Sequence, residues 1–172
     1  MEIWDAYNEN EELLGMDLVR GQAIPTGLYH LVVDVLVKHT DGDYLLMQRD
    51  FSKAGYPGYF EASAGGSALK GESATEAAIR EVREETGLSI QEIKLVNRTI
   101  GNDKDWSENS IIWYSFESVT DNGKDTIILQ EAETISFKWL GRDDFLRFVD
   151  SDKCIPSFRV RFSHYLELLR KE

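Results

Sequence analysis

Short runs of β-type alternation occupy most of the chain and surround one long segment of helical period. EIWDAYN (2–8) and LLGMDLVR (13–20) flank an Asn- and Glu-rich stretch and predict a leading hairpin, accessory to whatever follows. LYHLVVDVLVKH (28–39) and DYLLMQRD (43–50) are β-rich and are joined by T-D-G-D, the composition of a tight turn between antiparallel strands. Residues 51–64 then carry KAGYPGYFEASA, where Pro57 and two glycines preclude a long helix. After the helical segment come IKLVNRTI, SIIWYSFESV and ISFKWL, three more strand-like runs. Their order around a single helix predicts a mixed sheet, not a regular βαβ winding. The end reads as helical, with DDFLRFVDS followed by FRVRFSHYLELLRKE. In the latter, Phe158, Phe162, Tyr165, Leu166 and Leu169 recur at helical spacing and are assigned to the core.

The helical segment is bounded by its own signals. Ser73 and Glu76 form an S-x-x-E capping box, so the helix is expected to begin near Ala74. Gly87 stands where a left-handed C-terminal cap belongs. At roughly 100° per residue, Thr75, Ala78, Ile79, Val82 and Thr86 share an arc expected to face the sheet. Ala77, Glu81, Glu84 and Glu85 fill the neighbouring arc, which keeps the carboxylates beside the body of the protein. Like charges three and four residues apart repel by a few tenths of a kcal/mol each. Arg80 lies four residues from both Glu76 and Glu84, but one guanidinium cannot neutralise four acids.

Composition narrows what this cluster can serve. With 172 residues, 42% of them apolar, one domain with a proper core is expected, spanning the whole chain. The formal net charge of -12 argues against binding a nucleic acid polymer or an anionic membrane, both of which call for basic surface. A small phosphorylated substrate stays open if a metal ion supplies positive charge. The single cysteine, Cys154, permits no internal disulfide and is read as a small buried apolar residue. The acidic start MEIWDAYNENEELLG lacks signal-peptide order, and LVVDVLV is too short to span a bilayer, so the expected compartment is the cytoplasm.

Charge runs on helices are usually solvated faces. The alternative is a site for a hard divalent cation such as Mg²⁺ or Mn²⁺, which prefers carboxylate oxygen and completes its shell with water and substrate phosphate. Such an ion removes the repulsion, and the carbonyl of Gly65, free of a bulky side chain, can approach it from the preceding loop.

A family resemblance decides between the two. From Gly66 to Leu88 the chain resembles the Nudix box, G-x5-E-x7-R-E-U-x-E-E-x-G-U with U aliphatic. Gly66, Glu72, Arg80, Glu81, Val82, Glu84, Glu85, Gly87 and Leu88 all fall in place. A long pattern of mixed residue types at fixed gaps seldom arises by accident. The resemblance implies an α/β fold, the Nudix α/β/α sandwich around a mixed β-sheet, here with an N-terminal hairpin extension (1–27) and the box as loop-helix-loop over 65–88. It implies hydrolysis of the diphosphate of a nucleoside diphosphate linked to some moiety X, or of a related small diphosphate. It gives Glu81, Glu84 and Glu85, with the Gly65 carbonyl, the role of Mg²⁺ or Mn²⁺ ligands, and makes Glu72 and Arg80 supports of the helix and its loop. The general base in this family is a box glutamate, here Glu81, or an acid in a loop before a late strand; QEAETISFKW offers Glu131 and Glu133, with Glu133 preferred from its distance to Trp139.

Outside the box, Arg49 and Lys53 are candidate phosphate-binding cations. Tyr56, Tyr59, Phe60 and Trp106 either stack on a flat group or cap the core. The hairpin, GLYH and QRD…K…PG also resemble the isopentenyl-diphosphate isomerase branch of the superfamily. Gly65 stands where that branch is expected to carry its cysteine, and Ser67 where it carries a ligand histidine. His30 matches another ligand histidine, Glu108 survives from an acidic pair, and Ser110 interrupts it. The expectation is therefore isomerase-like architecture with hydrolase chemistry, and a structural His30. A silent nucleotide sensor is the remaining alternative, against which the complete set of box acids counts. The free edges of the hairpin leave a homodimer open.

Overall fold

The structure is a computed structural model that describes residues 1–102 and 110–171; Trp106 and Glu108 lie outside the described residues. Among the described residues, nine strands and four helices follow in the order β1 (Ile3–Tyr7), β2 (Leu13–Val19), β3 (His30–His39), β4 (Tyr44–Arg49), β5 (Phe60–Glu61), β6 (Ala64–Ser67), α1 (Ala74–Thr86), β7 (Glu92–Asn102), β8 (Ser110–Thr120), β9 (Thr134–Leu140), α2 (Arg142–Val149), α3 (Pro156–Arg161) and α4 (Ser163–Leu169). The predicted strands, box helix and helical end are all present. Two short strands, β5 and β6, stand where a loop was expected from 51 to 64 and at the start of the box.

Alternation along β3 divides the molecule into layers, because successive side chains of a strand point to opposite faces. Val33, Val35 and Val37 pack with Ala74, Ala77, Ala78 and Val82 of α1, together with Leu45, Met47, Ile112 and Phe116. Leu36 faces the other way, into a core with Tyr44, Leu46, Phe145, Phe158, Phe162 and Leu166 contributed largely by α2, α3 and α4. The result is the expected α/β/α sandwich around a mixed sheet. Its parallel pair is β3 with β8, in register from His30↔Ile111 to His39↔Thr120. The helical end is broken at Phe162, whose φ of -100° and ψ of 14° separate α3 from α4, while Phe158, Phe162, Leu166 and Leu169 remain buried.

The sheet splits at one end, and the split positions the site. Strand β4 meets β3 near the turn, at Lys38↔Tyr44. Further along, β4 pairs with β9 and β5, while β3 takes β6 as its antiparallel neighbour over Val32–Val35. The opening between the diverging strands is lined by β3, the end of β4 and the Gly65–Gly66 pair of β6.

The leading hairpin forms its own two-stranded sheet around Trp4, Ala6 and Leu18. Tyr7 and Tyr29 exchange backbone hydrogen bonds of 2.8 and 2.9 Å, which fix the hairpin to the start of β3. Trp4 stacks on His30 with ring centroids 4.1 Å apart, and Nδ1 of that buried histidine has no hydrogen-bond partner. The structural role expected for His30 agrees with this packing.

Burial pushes the His30 pKa from 6.5 down to about 4, against the attraction of Glu2. The unfolded chain therefore takes up this proton first, and the stability His30 contributes above pH 6.5 is lost as pH falls toward 4. Urea unfolding at pH 5 against pH 8 should show a loss of about 2 kcal/mol from this group. His30→Phe keeps the stack on Trp4 and should flatten that part of the profile.

Candidate active site

The box helix is built as its end signals dictate. Ser73 Oγ accepts from the Glu76 backbone N–H at 3.2 Å, and Glu76 Oε2 accepts from the Ser73 N–H at 2.9 Å. Gly87 closes the helix at φ 73°, with its N–H donating to Arg83 O at 3.0 Å. One of the four glutamates is thus committed to the cap. The helix is rotated relative to the arc expected from its period. Ala74, Ala77, Ala78, Glu81, Val82 and Thr86 are buried, whereas Thr75 and Ile79 are exposed. The small alanines allow α1 to lie close to β3 and β6, and this rotation carries Glu81 inward with them.

Arg80 joins helix and loop. Its Nε and Nη2 donate to the two Glu72 oxygens at 2.8 and 2.9 Å, and Nη2 also donates to Ser67 O at 3.1 Å. Nη1 donates to Glu81 Oε1 at 2.8 Å and to Glu84 Oε2 at 3.2 Å, so two box carboxylates converge on one nitrogen. Glu72 in turn accepts from the Leu69 N–H at 2.8 Å. Hydrogen bonding from Arg80 holds the Glu72 carboxyl below the usual range, and the Arg80 guanidinium is held charged by Glu72 and Glu81.

Glu85 is treated differently. The Gly65 N–H donates to its Oε2 at a long 3.4 Å. Burial raises its pKa well above the ordinary carboxylate value, and the nearby charges of Glu81, Glu61 and Glu133 push in the same direction. Burial likewise raises Glu81, with Arg80 opposing it. Space is tight at both glycines: a Cβ on Gly65 would meet the Val33 backbone carbonyl at 2.8 Å, and one on Gly66 would meet Glu81 Oε1 at 2.2 Å and displace that carboxylate. Gly-Gly is thus the form in which β6 fits between β3 and the acidic face of α1.

Glu81, Glu84 and Glu85 all line one cavity of about 860 Å³, shared with Glu133, Lys53, Trp113 and, from the hairpin, Glu2, Trp4 and Arg20. A connected space of about 190 Å³ lies in the split of the sheet, between Arg49, Glu61, Glu85, Trp113 and Arg161. Among the described residues no group of three or more His, Cys, Asp or Glu side chains is arranged, as it stands, to hold a metal ion. The donor set nevertheless fits a hard cation, since the half-buried Glu85 carboxyl is not neutralised by its surroundings and stands next to two convergent carboxylates.

The other candidates are found in varied settings. Arg49 is 6% exposed, with Nη1 donating to Glu61 Oε1 at 2.5 Å and Nε donating to Gly55 O at 2.9 Å. Lys53 forms an ion pair with Glu133. Glu131 is exposed and lies outside the lining of both cavities. Phe60 is buried in the core and Tyr56 packs against it, which places both on the core-capping side of the alternatives. Cys154 is 1% exposed, and burial pushes its thiol up to about 12. Sequence reasoning missed Asp34, Glu61, Trp113 and Arg161. Asp34, which interrupts the densest apolar run, was the one visible signal.

This α/β/α sandwich, with glutamates of a capped helix facing a glycine-bordered cavity, defines a class, and the comparisons give its family. The NUDIX domain model matches residues 28–158, and the chain belongs to that family. It is 47% identical over 90 residues to the uncharacterized Nudix hydrolase lmo0368 of Listeria monocytogenes, covering 52% of this chain and 53% of that protein. A Nudix hydrolase of Streptomyces coelicolor is 35% identical over 88 residues, or 51% and 48% of the two chains. The match therefore spans about half the length of these curated relatives. DR0079 from Deinococcus radiodurans superposes with a TM-score of 0.68 at 22% identity, over 99% of this chain and 98% of that one. A MutT protein from Methanosarcina mazei gives 0.63 at 20% identity over 83% and 94%. These structures share the fold. No helix among the described residues is long and apolar enough to cross a membrane.

Arg80→Met should destabilise the protein by about 2–3 kcal/mol, because the inward-facing Glu81 and the loop acid Glu72 lose their shared partner. Chemical denaturation of the variant beside Arg83→Met, whose side chain is outside this network, checks it.

Proposed function

We propose that this protein hydrolyses the diphosphate linkage of a nucleoside diphosphate bound to a moiety X, or of a related small diphosphate. The observation that carries this reading is the convergence of Glu81, Glu84 and Glu85 on one cavity beside Gly65, with Arg80 neutralising part of their charge. Mg²⁺ or Mn²⁺ held by these carboxylates and the Gly65 carbonyl supplies the positive charge that a diphosphate needs in so acidic a chain.

The remaining steps belong to the chain's own side chains. Lys53 and Arg49 line the cavity as candidate phosphate contacts, each now occupied by a glutamate. Lys53 can exchange Glu133 for a substrate phosphate, which frees the Glu133 carboxylate to accept the proton of the attacking water. The water oxygen bonds to phosphorus, the bond to the departing phosphate oxygen breaks, and that oxygen leaves with the electron pair. Glu133 is favoured over Glu131 because it lines the cavity with the box acids. Glu81, the other candidate base, is held by Arg80 and suits a ligand role better.

The isomerase alternative is disfavoured by sterics at its expected cysteine. Position 65 admits no Cβ without displacing the Val33 carbonyl, and glycine moves no proton. Trp4 and Arg20 of the hairpin region line the same cavity as the box acids. We place the chain as one Nudix unit that acts on a small molecule in the cytoplasm.

A phosphate-release screen over nucleoside triphosphates, dinucleotides and nucleotide sugars, with product masses, tests the reading. Wild-type activity should require Mg²⁺ or Mn²⁺, and Glu84→Gln or Glu85→Gln should lower it by about 100-fold or more with the fold retained; wild-type rates in both variants sink it. A stability signature should accompany the loss. Because the Glu85 pKa is raised, its cost to the metal-free fold is absent at low pH and appears as pH rises past the ordinary carboxylate value. Metal-free Glu85→Gln should therefore melt above wild type at pH 7.5 and level with it near pH 4, while Mg²⁺ raises the melting temperature of wild type alone.

A further inference from the structure

The split of the sheet contains a guanidinium for which the described residues give no complete set of partners. Arg161, at the end of α3 and 8% exposed, donates through Nε to Asp34, itself 4% exposed. Its Cζ lies over the Trp113 ring, 4.3 Å from the ring centroid. Among the described residues neither Nη1 nor Nη2 has a hydrogen-bond acceptor. Arg161 lines the cavity in the split, so its terminal N–H donors, unspent on the described residues, are open to a partner there.

The cavity indicates what the use is. Its charged lining pairs off as Arg49 with Glu61, Lys53 with Glu133 and Arg161 with Asp34, leaving Glu85 to the cation site. The space between is therefore close to neutral but rich in donors. Its volume of about 190 Å³ is the share of roughly six waters, enough for one small oxygen-bearing group. A planar guanidinium presents parallel N–H groups that match the two oxygens of a carboxylate or phosphate, and stacking on an indole with Nε anchored fixes the direction of that fork. Arg161 lies beyond residue 158, where the family-matched segment ends.

We propose that Arg161, anchored by Asp34 and stacked on Trp113, is a substrate-binding residue that receives a phosphate or carboxylate oxygen pair in the split of the sheet. Resting on the hydrolase reading for its place in catalysis, this selects substrates with an oxyanion at the end that enters between β3 and β4. Glu85 borders both cavities, so that end adjoins the cation site.

The test separates binding from turnover. Arginine Nε–Hε signals in an NMR spectrum of the full chain are followed on titration with inorganic phosphate and, separately, malonate. The Arg161 signal is assigned by its loss in Arg161→Lys, which keeps the ion pair but not the fork. Asp34→Asn/Arg161→Gln keeps a neutral hydrogen-bonded pair in case the single variant folds poorly. The expected result is saturable movement of the Arg161 signal and at least tenfold weaker binding in both variants; phosphate or malonate as the tighter ligand names the oxyanion. No movement in wild type, or equal dissociation constants in wild type and variants of unchanged melting temperature, overturns the proposal. If the screen finds a substrate, Arg161→Lys should raise KM at least tenfold with kcat within threefold, and an unchanged KM also overturns it. A failed screen with intact oxyanion binding removes the hydrolase reading and leaves this site standing.

Discussion

The Arg80 guanidinium is the contact on which the rest of the site depends. Five hydrogen bonds leave it, to Glu72, to the Ser67 carbonyl, and to Glu81 and Glu84 on its own helix. They tie three separate stretches of backbone to one rigid plane: the loop before the helix, strand β6 and the helix itself. An ion pair of this kind gains little on an open surface. Here it holds carboxylates that repel one another in a fixed direction, and its reach ends before Glu85. The unneutralised acid is thereby confined to the end of the array nearest the sheet.

That end coincides with the place where the sheet comes apart, and the two features share a cause. Strand β6 takes the edge of β3 that β4 leaves, and it passes beneath α1 with glycine at the two points of closest approach. A side chain at Gly65 would push β6 away from β3, and one at Gly66 would displace the Glu81 carboxylate, so either would disturb the acidic face at the opening. The same backbone therefore seats the helix, widens the split and brings the Gly65 amide to Glu85.

Local signals were legible in the sequence and long-range ones were not. Ser73, Glu76 and Gly87 act on neighbours a few residues away, so the limits of α1 could be read directly. Its rotation could not, because apolar Ile79 is exposed and acidic Glu81 buried, an inversion imposed by the sheet surface that the helix meets. β5 is two residues long and β6 reads AGGS, too short and too small to show alternation. The acids that pair with Arg49 and Lys53 could not be read from the sequence, because Glu61 and Glu133 are 12 and 80 residues further along. Asp34 and Arg161 are separated by 127 residues, and topology alone brings them together.

A chain with a net charge of -12 builds this site with little positive charge to spare. Arg49, Lys53, Arg80 and Arg161 each face an acid at the cavity, so substrate charge can enter by exchanging with these acids or by arriving with a cation. The two routes differ in cost. Exchanging Glu133 from Lys53 moves a partly exposed carboxylate a short way toward solvent, whereas exchanging Asp34 from Arg161 would strand a buried one. Lys53–Glu133 is consequently the pair suited to open during turnover, and Asp34–Arg161 the one suited to stay closed. The guanidinium that stays fixed is the one with donors to spare, so in the proposed function a rigid fork and a releasable base would come from the same kind of ion pair by a difference in burial.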